Sequence, residues 1–492
     1  MNEFTMNDLM GLLPYAPILI VVTTVLLVML AITIKRSHVI TGTIAVSGLN
    51  ISLLTLFGQM LGKISSGSAL PQAEQLFVID NFAQFNMAVI LICALACCTL
   101  SYAYLANFKD NKDELYLLML LSTSGAMLMV CAQNLASFFI SLELLSVPLY
   151  GMLAYTFLRR QSLESGLKYL VLSATASATL LMGMAFIYAE VGALGFKSIS
   201  VLLADVIESP LLILGTALMM FGIAFKLSAA PFHMWTPDVY EGAPAPIATY
   251  LASVSKVAMM ALAVRFLIDT SLLALPSVQM LIMVMATLSI LAGNLLALRQ
   301  TNLKRLLGYS SIAHMGYVLI VMVSIGVAAD SITSMYMAVY AFTSIGAFGV
   351  VTLMSSPYRS TGGAEELVHY QGLFWRRPVL TAAMTMMMLS LAGIPLTAGF
   401  ITKLFAILAA VQGMQWFLVA MIIVGSAIGL FYYLRVMLTL FKRPKAFIEF
   451  DVAGHWGVRM GGIMVIGVTL VIIYFGILPN SLIEWSRLAR IW

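Results

Sequence analysis

The residues best suited to chemistry in this sequence are charged side chains inside apolar stretches. The most unusual stretch runs from Phe225 to Lys256 and carries Lys226 and His233 between two long apolar runs. It also holds four of the fifteen prolines in the chain. An interior proline removes a backbone donor and crowds the preceding turn, so we expect a broken helix here.

The side chains of this stretch are typical of proton transfer. Burial opposes the charged form of a lysine, so Lys226 and Lys256 are candidates for loading and releasing a proton. An imidazole exchanges its proton near neutral pH, so His233 is a candidate relay between them. The alternative for His233 is a structural hydrogen bond to the broken backbone.

A second stretch of the same kind lies near residues 389–405 and reads LSLAGIPLTAGFITKLF. It contains Gly393, Pro395 and Gly399, followed by Lys403. We therefore predict a second broken helix with one functional lysine.

Two further charges interrupt apolar runs: Glu143 in FFISLELLSVPLYG and Lys168 in ESGLKYLVLS. Neighbouring antiparallel spans would bring them to similar depth, so we predict an ion pair between them. Forming and breaking this pair would set the pKa of Lys226. Glu164, four residues before Lys168, is a second partner for that lysine. The alternative is a purely structural pair. His314 is a weaker relay candidate.

The composition defines the elements that must position these groups. The chain has 492 residues, of which 61% are hydrophobic and only 10% charged. A soluble domain has about 25% charged residues, so this is a polytopic membrane protein. Apolar runs of roughly 20 residues predict fourteen transmembrane helices. The net charge of +5 is spread over short loops, which excludes a basic face for nucleic acid.

Basic residues fall in alternate loops, which predicts the orientation. By the positive-inside rule these loops are cytoplasmic and both termini are periplasmic. The basic residues are Lys35, Arg36, Lys109, Lys112, Arg159, Arg160, Arg299, Lys304, Arg305, Arg359, Arg376, Arg377, Lys442, Arg443 and Lys445. The other loops carry mainly Lys63, Lys197, Asp205, Glu208 and Asp330.

Neither a cofactor nor a metal is predicted on this chain. Its four cysteines, Cys93, Cys97, Cys98 and Cys131, lie in apolar runs without a matching set of ligands. The sequence has no Walker A motif and no Gly-rich turn after a plausible strand.

The two predicted breaks fall in the seventh and twelfth spans. Broken helices five spans apart indicate inverted repeats, which is typical of transport proteins. The predicted fold is an all-α polytopic membrane protein with two inverted five-helix repeats, each containing a broken helix. Its parts are residues 1–114 with three helices, repeats 115–270 and 276–442, and residues 443–492 with the last helix.

Three segments carry a resemblance that covers nearly the whole chain: FKLSAAPFHMWTPDVYEGAPAP, LKRLLGYSSIAHMGY and LAGIPLTAGFITKLF. They resemble signature segments of the antiporter-like membrane subunits of respiratory complex I, related to Mrp-type sodium/proton antiporters. Within that family, the short segment after the last predicted span argues against subunit L. Lys403, where subunit M is expected to carry a glutamate, argues against subunit M.

The resemblance implies proton translocation coupled to NADH oxidation and quinone reduction in other subunits of the respiratory chain. It assigns the proton path to Glu143, Lys168, Lys226, His233, Lys256 and Lys403. It also implies that NAD, FMN, iron-sulfur clusters and quinone are bound by partner subunits. The implied partners are the neighbouring subunits K and M, the lateral helix of subunit L, and lipids of the bacterial inner membrane.

Two other functions stay open from the residues alone. The chain can be a stand-alone or Mrp-type cation/proton antiporter, for which neighbouring genes for small antiporter subunits are expected. It can also be a structural scaffold, in which case neutralising Lys226 leaves coupling intact.

Overall fold

The computed structural model describes residues 11–62, 76–106, 108, 110–206, 208–325, 329–355, 365–443, 457 and 459–491, with only the backbone at 204, 205 and 325. Lys63, Lys109, Arg359, Lys445 and the side chain of Asp205 lie outside this description.

The described chain is all-helical apart from isolated β-bridges, and its helices follow the apolar runs. In chain order the helices of eight residues or more are α1 Ala16–Ile34, α2 His38–Met60, α3 Asn81–Leu105, α4 Glu114–Cys131, α5 Leu135–Leu153, α6 Arg160–Val191, α7 Phe196–Val206, α8 Pro210–Leu227, α9 Trp235–Gly242, α10 Ala245–Ala252, α11 Val254–Asp269, α12 Pro276–Ala297, α13 Leu303–Ile325, α14 Ala329–Met354, α15 Pro378–Ala392, α16 Ala398–Gln412, α17 Trp416–Phe441, α18 Met460–Ile477 and α19 Pro479–Arg487.

The described residues contain thirteen helical segments long and apolar enough to cross a membrane. A fourteenth span is divided between α15 and α16, which are fifteen residues each. The predicted fourteen spans are therefore confirmed. With so many apolar helices, the chain is a multi-pass membrane protein. A helix suits the membrane interior because its backbone polar groups bond to one another.

Polar side chains define several helix starts on the described chain. Asp80 accepts a hydrogen bond from the backbone of Ala83 and caps α3. Asn134 and Ser137 form a capping box at α5. Such caps satisfy amide groups that have no partner inside the helix.

Both predicted breaks are present, and each begins where a residue takes the left-handed conformation. Helix α8 ends at Leu227 and is followed by Ser228, with φ of 61°, and α9 begins only at Trp235. Helix α15 ends at Ala392 and is followed by Gly393, with φ of 79°, and α16 begins at Ala398. A side chain at Gly393 would also collide with Lys403, whose Cδ lies 2.6 Å from the position of a Cβ. Glycine thus permits both the turn and the close approach.

Buried residues concentrate in the helices around the two breaks. Of the most apolar window in each span, 94% is buried in Ala245–Asp269 and in α14, and 89% in Leu303–Ser324. The outer helices are much more exposed, with 28% of the window buried in α18. The polar groups described next therefore lie in the best-shielded part of the molecule.

Candidate functional site

Lys226 lies in the last turn of α8, just before the first break, and is 7% exposed. Its Nζ donates to Ser146 Oγ of α5 at 2.8 Å and to Ser173 Oγ of α6 at 2.7 Å. Both partners are neutral hydroxyls that accept hydrogen bonds from an ammonium and also donate to a neutral amine. The site can therefore hold Lys226 in either protonation state.

Glu143 is the acidic partner of Lys226. It precedes Ser146 by three residues and so lies on the same face of α5, and its carboxylate interacts electrostatically with Lys226. Within the described residues its buried Oε1 has no hydrogen-bond partner. The influence of Glu143 on Lys226 stays a prediction, which this electrostatic interaction supports.

Lys256 lies in the first turn of α11 and is fully buried. Its Nζ donates to the carbonyl of Leu227 at 2.6 Å and to the hydroxyl of Ser228, at the end of α8. The ammonium also lies 5.5 Å from the centre of the Trp235 ring. A cation is favoured at a helix C-terminus, where carbonyls lack partners inside the helix. Lys256 therefore binds the C-terminal end of α8 at the first break, next to Lys226 in the chain of α8.

The predicted ion pair between Glu143 and Lys168 is wrong. Lys168 instead binds Glu164 Oε1 at 2.7 Å, which confirms the second predicted partner, and Asp238 Oδ2 at 3.2 Å. The helix face of Lys168 was predicted wrongly. Ser173 faces α5, and the five residues from Lys168 to Ser173 turn an α-helix by about 140° beyond one full turn. Lys168 therefore points away from Glu143, and its side chain is 43% exposed.

His233 lies in the connection between α8 and α9 and is half-buried. Its Nδ1 is buried without a hydrogen-bond partner among the described residues. The structure brings Lys226 and Lys256 together at the end of α8 without a recorded hydrogen bond from either to His233. Its role as a relay stays a prediction.

The second break places Lys403 in a position like that of Lys256. Lys403, in α16, donates to the carbonyls of Leu391 and Ala392 at 2.9 and 3.0 Å, at the end of α15. It also lies 5.2 Å from the centre of the Tyr317 ring. An ammonium again occupies the negative end of a broken helix.

Neutral polar groups surround Lys403. His314 of α13 interacts electrostatically with Lys403, and its Nδ1 is 2.9 Å from the hydroxyl of Tyr336. Tyr317 accepts a hydrogen bond from Asn294, which in turn accepts one from Tyr432. The second break therefore lies in a buried hydrogen-bonded network of tyrosines and one histidine.

A charged cluster between the two predicted repeats was missed by the sequence analysis. Arg305 of α13 binds Asp238 Oδ1 and Glu241 Oε2 of α9, both at 2.7 Å. With Glu164 and Lys168 these residues line a polar cavity of about 220 Å³. Arg305 was read only as a loop charge. The signal was present in the sequence, since Asp238 and Glu241 are three residues apart and share one helix face.

A second missed cluster is the triad of Arg159, Lys304 and Glu365. Glu365 Oε1 lies 3.0 Å from a nitrogen of each cation, and Lys304 also donates to the carbonyl of Ala243. Burial alone would raise the pKa of Glu365, but Lys304 and Arg159 together lower it below its ordinary value. The triad therefore joins residues of both predicted repeats to the end of α9.

In the described part of the chain no three His, Cys, Asp or Glu side chains form a potential metal site. The four cysteines are free and buried.

The paired broken helices with buried lysines define a membrane protein of the ion-transport type, and comparisons with known proteins agree. The family model "NADH:quinone oxidoreductase/Mrp antiporter, TM" matches residues 132–429. NADH-quinone oxidoreductase subunit N of Psychrobacter arcticus is 83% identical over the full length of both chains. Subunit N of Acinetobacter baumannii is 53% identical, covering 98% of this chain and 96% of the relative.

A solved structure is also similar. A chain of respiratory complex I from Thermus thermophilus with bound aureothin is 28% identical, with a TM-score of 0.80. The match covers 95% of this chain and 98% of that chain.

The chain therefore belongs to the NADH:quinone oxidoreductase and Mrp antiporter membrane family, and within it to subunit N of NADH-quinone oxidoreductase. It is a membrane-arm subunit of respiratory complex I, an oxidoreductase complex whose other subunits are its partners. The predicted family is therefore confirmed.

Proposed function

We propose that this chain moves protons across the bacterial inner membrane through Lys226, Lys256 and Lys403, driven by NADH oxidation and quinone reduction in partner subunits. This makes the complex a proton-translocating oxidoreductase. One observation carries the proposal: buried ammonium groups stand at both helix breaks and are held by neutral oxygen atoms. Ionisable groups are too costly inside a membrane to be expected without a function.

The roles of the residues follow from their contacts. Glu143 stabilises the charged form of Lys226, and Lys256 is the next group because it binds the carbonyl that follows Lys226. Lys403 is the corresponding group of the second repeat, with His314 beside it. His233 is a relay at the edge of this route. Lys168 acts at the cavity beside α9 and not as a partner of Glu143.

The wider assignments belong to the same proposal. Residues 115–270 and 276–442 are the two inverted repeats. The basic loops are cytoplasmic, and both termini are periplasmic. Subunits K and M are the neighbours and the lateral helix of subunit L is a contact. NAD, FMN, the iron-sulfur clusters and quinone are bound by partner subunits.

NADH-driven proton pumping in membrane vesicles with Lys226→Ala tests the proposal, beside electron transfer and assembly of the complex. We expect assembly to persist while pumping and coupled turnover collapse. The exposed Lys442→Ala variant is the matched control and should pump normally. Normal pumping by assembled Lys226→Ala would favour the structural scaffold.

A further inference from the structure

The half-helix α9 connects the first break to the second predicted repeat. At its start, Trp235 donates from its indole to the carbonyl of Phe225 and lies beside Lys256. Asp238 and Glu241 follow on α9, and Arg305 binds both from α13. Arg305, in the second predicted repeat, thus holds α9. The first residue of α9, Trp235, lies beside Lys256 of the first predicted repeat.

Other contacts of α13 act on the same half-helix. Asn302 accepts hydrogen bonds from the amides of Lys304 and Arg305, so it caps α13, and its own amide donates to Glu241 at 3.1 Å. Lys304 donates to the carbonyl of Ala243, directly after α9. Residues at the start of α13 therefore bind α9 at Asp238 and Glu241 and at Ala243, directly after its last residue.

The cationic partners of Asp238 stabilise its charge. Burial alone would raise the pKa of Asp238, but hydrogen bonds from Arg305 and Lys168 lower it below its ordinary value. The carboxylate therefore stays ionised at neutral pH and keeps its bond to Arg305. A permanent link of this kind suits positioning.

We propose that Arg305 is a positioning residue, which acts through Asp238 and Glu241 on α9 to hold Trp235 against Lys256. The inference rests on the proposed role of Lys256 in proton transfer. Helix α13 would then act at both breaks. It also carries His314, about 14 Å from Arg305 along the helix axis, and His314 lies beside Lys403. Helix α13 thus contacts α9 beside the first break and Lys403 at the second.

The test is NADH-driven proton pumping by the assembled complex with Arg305→Ala, Arg305→Lys and the exposed control Arg299→Ala. We expect Arg305→Ala to reduce pumping about tenfold, the factor that corresponds to one charge-assisted hydrogen bond. Arg305→Lys should regain part of the rate, and Arg299→Ala should be unchanged. Normal pumping by assembled Arg305→Ala would overturn the proposal.

A double-mutant cycle with Trp235→Leu separates positioning from a general structural role. If Arg305 acts through Trp235, Arg305→Ala causes little further loss in the Trp235→Leu background. If the two losses multiply, Arg305 does not act through Trp235 and the proposal fails. Where Arg305→Ala does not assemble, Asp238→Asn and Glu241→Gln each remove one ion pair with Arg305, and normal pumping by both overturns the proposal.

Lys256→Ala, measured in parallel, distinguishes this inference from the proposed function. If Lys256→Ala pumps normally, the proposed function of Lys256 fails and the positioning role fails with it. If Lys256→Ala stops pumping while Arg305→Ala does not, only the positioning role is wrong.

Discussion

At both helix breaks a lysine binds carbonyls at the end of a half-helix, but the two lysines come from different places in the chain. At the first break Lys256 comes from the following span and binds the carbonyl of Leu227. At the second break Lys403 comes from the second half of the same broken span and binds the carbonyls of Leu391 and Ala392. The shared feature is therefore an ammonium at the C-terminal end of a half-helix, not a shared sequence position.

The surroundings of the two breaks differ in charge. The first has the additional lysine Lys226 and the nearby carboxylate of Glu143. Around Lys403, the contacts recorded for the described residues are carbonyls, a tyrosine ring and His314. A lysine with a carboxylate nearby has its charge stabilised, whereas one among neutral groups has to be stabilised by dipoles. The two breaks therefore stabilise their lysines by different means.

The largest expected effect comes from the triad that joins the two repeats. Glu365→Gln leaves Arg159 and Lys304 without their shared carboxylate, and losing one partner of a buried ion pair costs about 3 to 5 kcal/mol. We expect a clear fall in the midpoint of thermal unfolding of the purified complex. Glu366→Gln is the matched control, because the described structure records no ion pair for that neighbour. Equal midpoints for both variants would show that the triad does not stabilise the folded protein.

The stabilisation by Glu365 also depends on pH. Its pKa is lowered in the folded protein, so its contribution is present above the ordinary carboxyl pKa of about 4.3. The contribution is lost as the pH falls through the lower folded value. The difference in thermal midpoint between wild type and Glu365→Gln should therefore shrink on acidification below that range. A difference that stays constant would be inconsistent with this linkage.

A smaller effect should separate the two breaks. Glu143→Gln removes the carboxylate beside Lys226, and we expect pumping to slow about tenfold, the change for about 1.4 kcal/mol of lost stabilisation. The exposed Glu208→Gln is the control. The assay is NADH-driven pumping at equal amounts of assembled complex. If Glu143→Gln pumps at the wild-type rate, the difference in charge between the breaks has no functional meaning.

The smallest effect is expected at Lys168. Its side chain is 43% exposed and pairs with Glu164 and Asp238. Exposed ion pairs contribute roughly 0.2 to 1 kcal/mol, so Lys168→Gln should change pumping about fivefold or less. Glu164→Gln should behave similarly. A collapse of pumping in Lys168→Gln alone would return Lys168 to the centre of the proton path.

The sequence was sufficient to predict the spans and both breaks, because apolar runs, proline and glycine act locally. The lysines were predicted for the same reason, since a charge inside an apolar run is visible without the fold. The partners were harder. Whether Lys168 faces Glu143 depends on the rotation of α6, and the bond between Lys256 and Leu227 depends on how α11 packs beside α8. Arg305 was missed because its contacts cross from one repeat to the other.

The most direct test of a single path through both breaks is to remove its two capping lysines separately. NADH-driven proton pumping and electron transfer should be measured in vesicles containing equal amounts of complex with Lys256→Ala or Lys403→Ala. We expect each variant to lose pumping by about a hundredfold or more, the size of a proton-transfer group's contribution. If either assembled variant still translocates the wild-type number of protons per NADH, the two breaks do not belong to one pathway.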